Sequence, residues 1–270
     1  MLARVYPVVE SAEWVARLLP CGVRLIQLRI KDPHAPLREQ IRSARALCAR
    51  AGAQLVVNDH WQLALEEGCD YVHLGQGDLD GADLAALRRA GVRLGISTHD
   101  EHELERALAL EPQYVALGPI YPTLLKVMPF APQGLGRIGE WKRRIGSCPL
   151  VAIGGLTLER LAGVFAAGAN SAAVVNDIVR HPDPEARMRA WVAAGEGGAL
   201  ASATRARACC RRSGRRARRA SRPPGCSSSA PADLAARCWN TSAPRGSGRS
   251  RSSIRIRWSC RICTVSPSTG

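Results

Sequence analysis

No stretch of this sequence approaches the roughly 18 consecutive apolar residues of a membrane-spanning helix, so a membrane location is not expected. The N-terminus, MLARVYPVVESAEWV, lacks the apolar core of a signal peptide and starts directly with strand-like residues. No G-x-G-x-x-G follows the first strand, which argues against a dinucleotide-binding sheet. Neither a Ser/His/Asp nor a Cys/His constellation is evident, so no side-chain nucleophile is expected. Cysteines with metal-ligand spacing are missing too. Cys260-Arg-Ile-Cys263 is a single C-x-x-C with no histidine nearby and no second pair. Cys21, Cys48, Cys69 and Cys148 are scattered among Val, Leu and Ala, and read as small core residues of a reduced, cytoplasmic protein.

Acidic residues are scarce in one place only. Residues 197–270 hold 16 arginines, no lysine and a single acid, Asp233, and so account for the whole net charge of +15. Residues 1–196 balance 22 basic against 22 acidic side chains. The C-terminal segment is rich in Ser, Pro and Ala and shows no helical or strand periodicity outside 230–238. It reads as a disordered basic tail, and equally as a GC-rich gene translated out of frame. The run Arg211-Arg-Ser-Gly-Arg-Arg-Ala-Arg-Arg219 would bind phosphate backbones in a salt-dependent way. Nucleic-acid binding through this tail is therefore an alternative function, but few apolar residues and no lysine accompany the run, and nucleic acid is not an expected partner.

Residues 1–196 alternate short apolar runs with helix-like segments. Residues 54–78 set the pattern: the runs Leu55-Val56-Val57 and Tyr71-Val72-His73-Leu74 flank an amphipathic segment at 61–67. Strands are predicted near 5–9, 25–28, 55–57, 71–74, 94–96, 114–117, 150–153 and 172–175. Helices are predicted at 11–19, 36–51, 84–90, 102–110, 157–167 and 184–194, among others. Ala51-Gly52, Ala90-Gly91 and Ala167-Gly168 look like helix C-caps. Asp100 and Thr157 look like N-caps. Eight strands alternating with helices predict an α/β fold of the (β/α)8 TIM-barrel type over 1–196.

The residues just past each predicted strand are polar, cationic or glycine, whereas the loops of the opposite face, at 51–54 and 90–93, are short and plain. In such barrels the strand C-termini carry the chemistry. Asp59 and Asp78 follow neighbouring strands. Singly, each could be a helix cap. Together they are hard oxygen donors, too few for calcium and suited to Mg²⁺, which takes one or two carboxylates and completes its shell with water and phosphate. Arg29 and Lys31 lie near one strand end and can offer a fork and a point charge to a diphosphate. Gly154-Gly155 before the 157–167 helix, with Val175-Asn176 after the last strand, matches the phosphate site recurrent in these barrels. Two anion sites on one face suggest two phosphorylated ligands. His73, His99 and Cys69 read as packing or supporting residues.

Six segments, in order and in register, carry a resemblance. They are Gln27-Leu28-Arg29-Ile30-Lys31, Asn58-Asp59, Val72-His-Leu-Gly-Gln-Gly-Asp78, Gly95-Ile-Ser97-Thr-His99, Leu117-Gly-Pro-Ile-Tyr-Pro-Thr123 and Ala152-Ile-Gly-Gly155. Over most of 1–194 the chain resembles the thiamine-phosphate synthase family. The resemblance implies a TIM barrel that joins a pyrimidine-methyl diphosphate to a thiazole ethyl phosphate, or its carboxylated form, releasing pyrophosphate. It implies that Asp59 and Asp78 hold one Mg²⁺. It further implies that Gln27, Arg29, Lys31 and Asn58, with Leu28 and Ile30 between them, bind the pyrimidine diphosphate, and that Ser97 lies near the pyrimidine and the leaving group. Thr123, Leu125 and Lys126 would sit between the substrates, and Gly154, Gly155, Val175 and Asn176 would take the thiazole phosphate. Arg29, Lys31, Ser97 and Lys126 would be the catalytic set. The implied mechanism is dissociative, with pyrophosphate leaving first.

Departures from the family pattern are Leu125 in place of a second hydroxyl residue, a longer loop through 128–134, Asn176 where serine is common, and Asn170-Ser171 where Asp-Gly is usual. A thiazole tautomerase of the same fold is the nearest rival. It binds a thiazole phosphate and needs no magnesium-diphosphate site, so Gln27, Arg29, Lys31, Asp59, Asp78 and Lys126 favour the synthase. The implied partners are the two small substrates, and a homo-oligomer is left open. With the domain boundary at 196, deletion of residues 197–270 is expected to leave catalysis unchanged, measured as the rate of product formation; loss of folding on truncation would move the boundary.

Overall fold

The computed structural model describes residues 2–123 and 131–197. Leu125, Lys126 and the expected basic tail from residue 198 onward lie outside the described residues. The strands are β1 (Val5–Val9), β2 (Leu25–Leu28), β3 (Gln54–Asn58), β4 (Tyr71–Leu74), β5 (Arg93–Thr98), β6 (Tyr114–Leu117), β7 (Leu150–Ala152) and β8 (Ser171–Val174). All pair in parallel with their sequence neighbours, and β8 returns to β1 to close an eight-stranded barrel. The expected TIM barrel is present. Strands buried on both faces read as continuous apolar runs, because helices cover the outside while side chains fill the inside. That is why short runs such as Leu55-Val56-Val57 were legible.

Outside the barrel lie α1 (Ala12–Leu18), α2 (Leu37–Ala51), α3 (Trp61–Glu66), α4 (Gln76–Gly81), α5 (Leu84–Arg89), α6 (Glu101–Leu108), α7 (Gly134–Ile145), α8 (Leu161–Ala166), α9 (Asn176–Val179) and α10, helical over 184–197. In α2, Ile41, Ala44 and Cys48 fall on one buried face at helical spacing. Gly52 stops the helix in the left-handed conformation at φ 64°, its N–H donating to the carbonyls of Cys48 and Ala49. In α7, Ile138, Trp141 and Ile145 are buried, and the Trp141 indole donates to Thr98 Oγ1 at 3.2 Å. Asp100 caps α6 as expected, accepting the Glu103 N–H at 2.8 Å.

Two local expectations give way, and one helix joins those named from the sequence. Gln76–Gly81 is that helix, formed although it contains two glycines. The Asp78 carboxylate accepts the Gly75 N–H at 3.1 Å and Leu79 is buried, so end-bonding and packing outweigh weak propensity. Thr157 does not cap a helix with its side chain. A 3-10 turn at Leu158–Arg160 follows it, and the Leu158 N–H bonds to Asp177 at 3.2 Å instead. The strand expected at 172–175 ends at Val174, because Val175 turns aside to begin α9.

Side chains pack in two layers. Val57, Leu74, Ile96 and Leu117 face outward against the helices. Tyr6, Val56, Tyr71, Tyr114 and Val151 fill the interior. Tyr114 lies edge-on to Tyr6 at 5.9 Å between centroids and stacks on His73 at 5.6 Å. This ring needs Gly95 on the neighbouring strand, where an added Cβ would lie 2.2 Å from Tyr114 Cζ. Gly95→Ala is therefore expected to lower stability by about 1–3 kcal/mol through overpacking, read as a fall in the midpoint of thermal or denaturant unfolding.

Candidate active site

The rim at the strand C-termini collects the expected residues. Gln27 ends inside the barrel, 4% exposed, and donates from Nε2 to the Tyr6 hydroxyl at 2.9 Å. Leu28 and Ile30 turn outward into the helix-facing layer, so what they can offer a ligand is backbone. Arg29, held by its N–H to the Val9 carbonyl at 2.7 Å, is exposed and makes no ion pair among the described residues. Its charge reaches the barrel mouth, where it acts on His73.

Lys31 is bonded to the Asp59 carboxylate. Asp59 sits in the left-handed region at φ 61°, a conformation that aspartate tolerates better than most side chains. Its N–H donates to the His73 carbonyl at 3.0 Å, which ties the end of β3 to β4. Burial works to raise the Asp59 carboxyl, but the bonded Lys31 ammonium, aided by Asp78, outweighs it and holds the group below the usual carboxylate value. For Asp78, burial and then the charge of Asp59 push the carboxyl up, against the Gly75 N–H. Two carboxylates are thus close enough to repel on the same rim. That arrangement suits a divalent cation.

Among the described residues no group of three or more His, Cys, Asp or Glu could hold a metal. The pair fits an ion that finishes its shell with water and phosphate oxygens, as Mg²⁺ does, and not a protein-enclosed zinc.

Ser97 is the penultimate residue of β5, its Oγ 2.8 Å from His73 Nε2 and its carbonyl accepting from Gln76 Nε2 at 2.7 Å. Asn58 is buried at the end of β3. Across the rim, Gly154 and Gly155 have φ 95° and 64°. Added Cβ atoms would lie 2.6 Å from Pro119 Cα and 2.5 Å from the Pro122 carbonyl oxygen. The glycines therefore let the β7 loop press against the segment after β6 that ends at Thr123, with Tyr121 N–H donating to the Gly154 carbonyl at 3.0 Å. Val175 leads into α9, and the Asn176 Oδ1 is buried with no partner among the described residues. An orphaned polar atom beside this loop fits a polar ligand there.

The decisive comparison is with protein families: residues 5–178 match the thiamine monophosphate synthase model. The chain belongs to that family. It is similar to the thiamine-phosphate synthase of Rhizobium etli, 63% identical over 190 residues that span 70% of this chain and 93% of the relative. The thiamine-phosphate synthase of Serratia proteamaculans is 52% identical over 179 residues, or 66% of this chain and 84% of the relative. Among solved structures, a thiamine phosphate pyrophosphorylase from Pyrococcus furiosus superposes with a TM-score of 0.64, 23% identity, and coverage of 73% of this chain and 96% of that one. That likeness shows the shared barrel.

Two supporting features escaped the sequence reading. Asp177 accepts from Leu158 N–H, from Arg187 Nε at 2.9 Å and from Trp191 Nε1 at 2.7 Å, which fastens the loops after β7 and β8 to α10. The other is a chain of hydrogen bonds inside the barrel, joining Tyr6 and Tyr114 hydroxyls at 3.0 Å and Tyr114 to His73 Nδ1 at 2.8 Å. Three of the four tyrosines lying in strands was the one available signal.

Burial, with Arg29 adding to it and Asp59 opposing, lowers the His73 pKa to about 4. An unfolded histidine protonates near 6.5 (about that value). Between the two values the unfolded chain binds more protons, so this contribution is fully present above the unfolded value and is lost as pH falls through the folded one. Wild type is expected to lose on the order of 3 kcal/mol more than His73→Gln across that window, measured by urea unfolding at each pH.

Proposed function

We propose that this protein joins an aminopyrimidine-methyl diphosphate to a thiazole ethyl phosphate, giving thiamine phosphate and pyrophosphate, or to its carboxylated form, which also releases the carboxyl group as carbon dioxide. Family membership supports the reaction, and the observation that carries the assignment of the site is the paired Asp59 and Asp78 beside Lys31. A thiazole tautomerase would have no use for that pair. Asp59 and Asp78 would hold one Mg²⁺, which when bound neutralises charge on the leaving diphosphate.

Arg29 and Lys31 bind the same diphosphate, Arg29 as a fork and Lys31 as a mobile charge released from Asp59. Lys126, which follows β6 in the sequence, is assigned to the same diphosphate by the family resemblance. Gln27, Asn58 and Ser97 hold the pyrimidine end. The carbon–oxygen bond breaks with its electron pair leaving on the diphosphate oxygen, and the thiazole nitrogen then donates its lone pair to the pyrimidine methylene carbon. The protein's work is charge stabilisation and alignment, which needs no side-chain nucleophile. Gly154, Gly155, Val175 and Asn176 take the thiazole phosphate and, with Thr123, set the nitrogen toward that carbon.

The four described cysteines are unpaired, three of them buried, which supports a reducing cytoplasmic location. Among the described residues no helix is long and apolar enough to cross a membrane.

The test is product formation from the two substrates with Mg²⁺ added or chelated. Asp59→Asn, which keeps a side chain that tolerates the left-handed backbone, and Asp78→Asn are each expected to cut the rate by about 100-fold or more. Unchanged turnover without metal in either variant would remove this account of the site.

A further inference from the structure

The interior hydrogen bonds have a direction. With the Gln27 amide placed so that Nε2 faces Tyr6, the Tyr6 hydroxyl oxygen accepts from it. Turning that amide over would reverse the whole chain, a choice that the His73 tautomer decides. The Tyr6 proton then has one bonded partner, the Tyr114 oxygen 3.0 Å away. The Tyr114 proton in turn points at His73 Nδ1, at 2.8 Å. With Nδ1 accepting, the imidazole carries its proton on Nε2, which donates to Ser97 Oγ at 2.8 Å. Any reversal midway would set two protons against each other or leave a buried group unpaired, at a cost of about 1–3 kcal/mol.

The Ser97 oxygen is therefore already occupied as an acceptor from inside the barrel. Its own proton is left to face the rim. We propose that Tyr6, Tyr114 and His73 are positioning residues that link Gln27 to Ser97 and fix the Ser97 hydroxyl as a hydrogen-bond donor toward the substrate. The link spans the barrel, from β2 through β1, β6 and β4 to β5. It is built into the backbone, because the Tyr114 ring fits only against a glycine at position 95. Ser97 then selects an acceptor on the pyrimidine diphosphate, either a ring nitrogen or a diphosphate oxygen. The inference about the substrate rests on the reaction proposed above; the direction of the relay does not.

Protein labelled with ¹⁵N-histidine reads the direction by long-range proton–nitrogen correlation, the His73 signals being identified by their loss in His73→Gln. The Nε2–H tautomer is expected in the full chain, and an Nδ1–H tautomer or a doubly protonated ring would overturn the proposal. Tyr114→Phe keeps the stacked ring and removes the hydroxyl. It should lower kcat/KM for the pyrimidine diphosphate by about tenfold and leave KM for the thiazole phosphate unchanged. Tyr71→Phe, whose hydroxyl is outside the relay, should leave both constants unchanged. If both tyrosine variants lower only the thermal midpoint, the role is structural and the proposal fails.

Ser97→Ala distinguishes the two acceptors. Weaker binding of pyrophosphate alone would place the donor on the leaving group, and weaker binding of the pyrimidine alcohol would place it on the ring. Unchanged binding of both would overturn the donor role. Should the wild-type protein form no thiamine phosphate, the reaction is wrong while the tautomer still decides the relay.

Discussion

A closed ring of eight parallel strands leaves an interior just wide enough for side chains and too dry for lone polar groups. Much of this protein follows from how that constraint is met. Tyr6, Tyr114 and His73 occupy the interior, their polar atoms hydrogen-bonded to one another and, through His73 Nε2, to Ser97. The bulk of Tyr114 dictates a glycine on β5, and the placement of His73 sets a ring nitrogen against the Ser97 hydroxyl. Packing and chemistry are therefore not separable here: the groups that fill the barrel also address its mouth.

The two ends of the barrel treat charge differently. At the N-terminal end, Arg93 bonds to Gln54 and to Asp70 at 2.6 Å and lies over the Tyr71 ring, so its charge is matched locally. At the C-terminal end, Arg29 has no acidic partner among the described residues, and Lys31 shares Asp59 with a second carboxylate nearby. Uncompensated cations beside a low-dielectric cavity draw in anions. The balanced count of acids and bases over residues 1–196 conceals this polarity, since it comes from placement and not from number.

The barrel was legible because strands buried on both faces are continuous apolar runs, and because the polar residues that follow them all reach one rim. The carboxylate pair was legible for the same reason, Asp59 and Asp78 each following a recognisable strand. What stayed hidden depends on contacts with no local signature. Tyr6 and Tyr114 are 108 positions apart, and Tyr114 and His73 are 41 apart. Helix Gln76–Gly81 was hidden because its glycines speak against it and only its end-bond and buried Leu79 speak for it. Two of the positions that depart from the family pattern, Ser171 and Asn176, carry buried oxygens that lack partners among the described residues. The sequence showed the substitutions, but their unmet hydrogen bonds appear only once the loops are folded.

Asp177 gives the barrel an unexpected boundary condition. Its carboxylate reaches back to the turn after β7 and forward to Arg187 and Trp191, so the last of the described helices braces the loops that form one side of the rim. A helix that contributes no residue to the rim is thus a structural member of the site. For anyone trimming, tagging or grafting this scaffold, the usable end of the chain lies beyond Trp191. A cut a few residues earlier would remove no residue of the rim and would still let it sag.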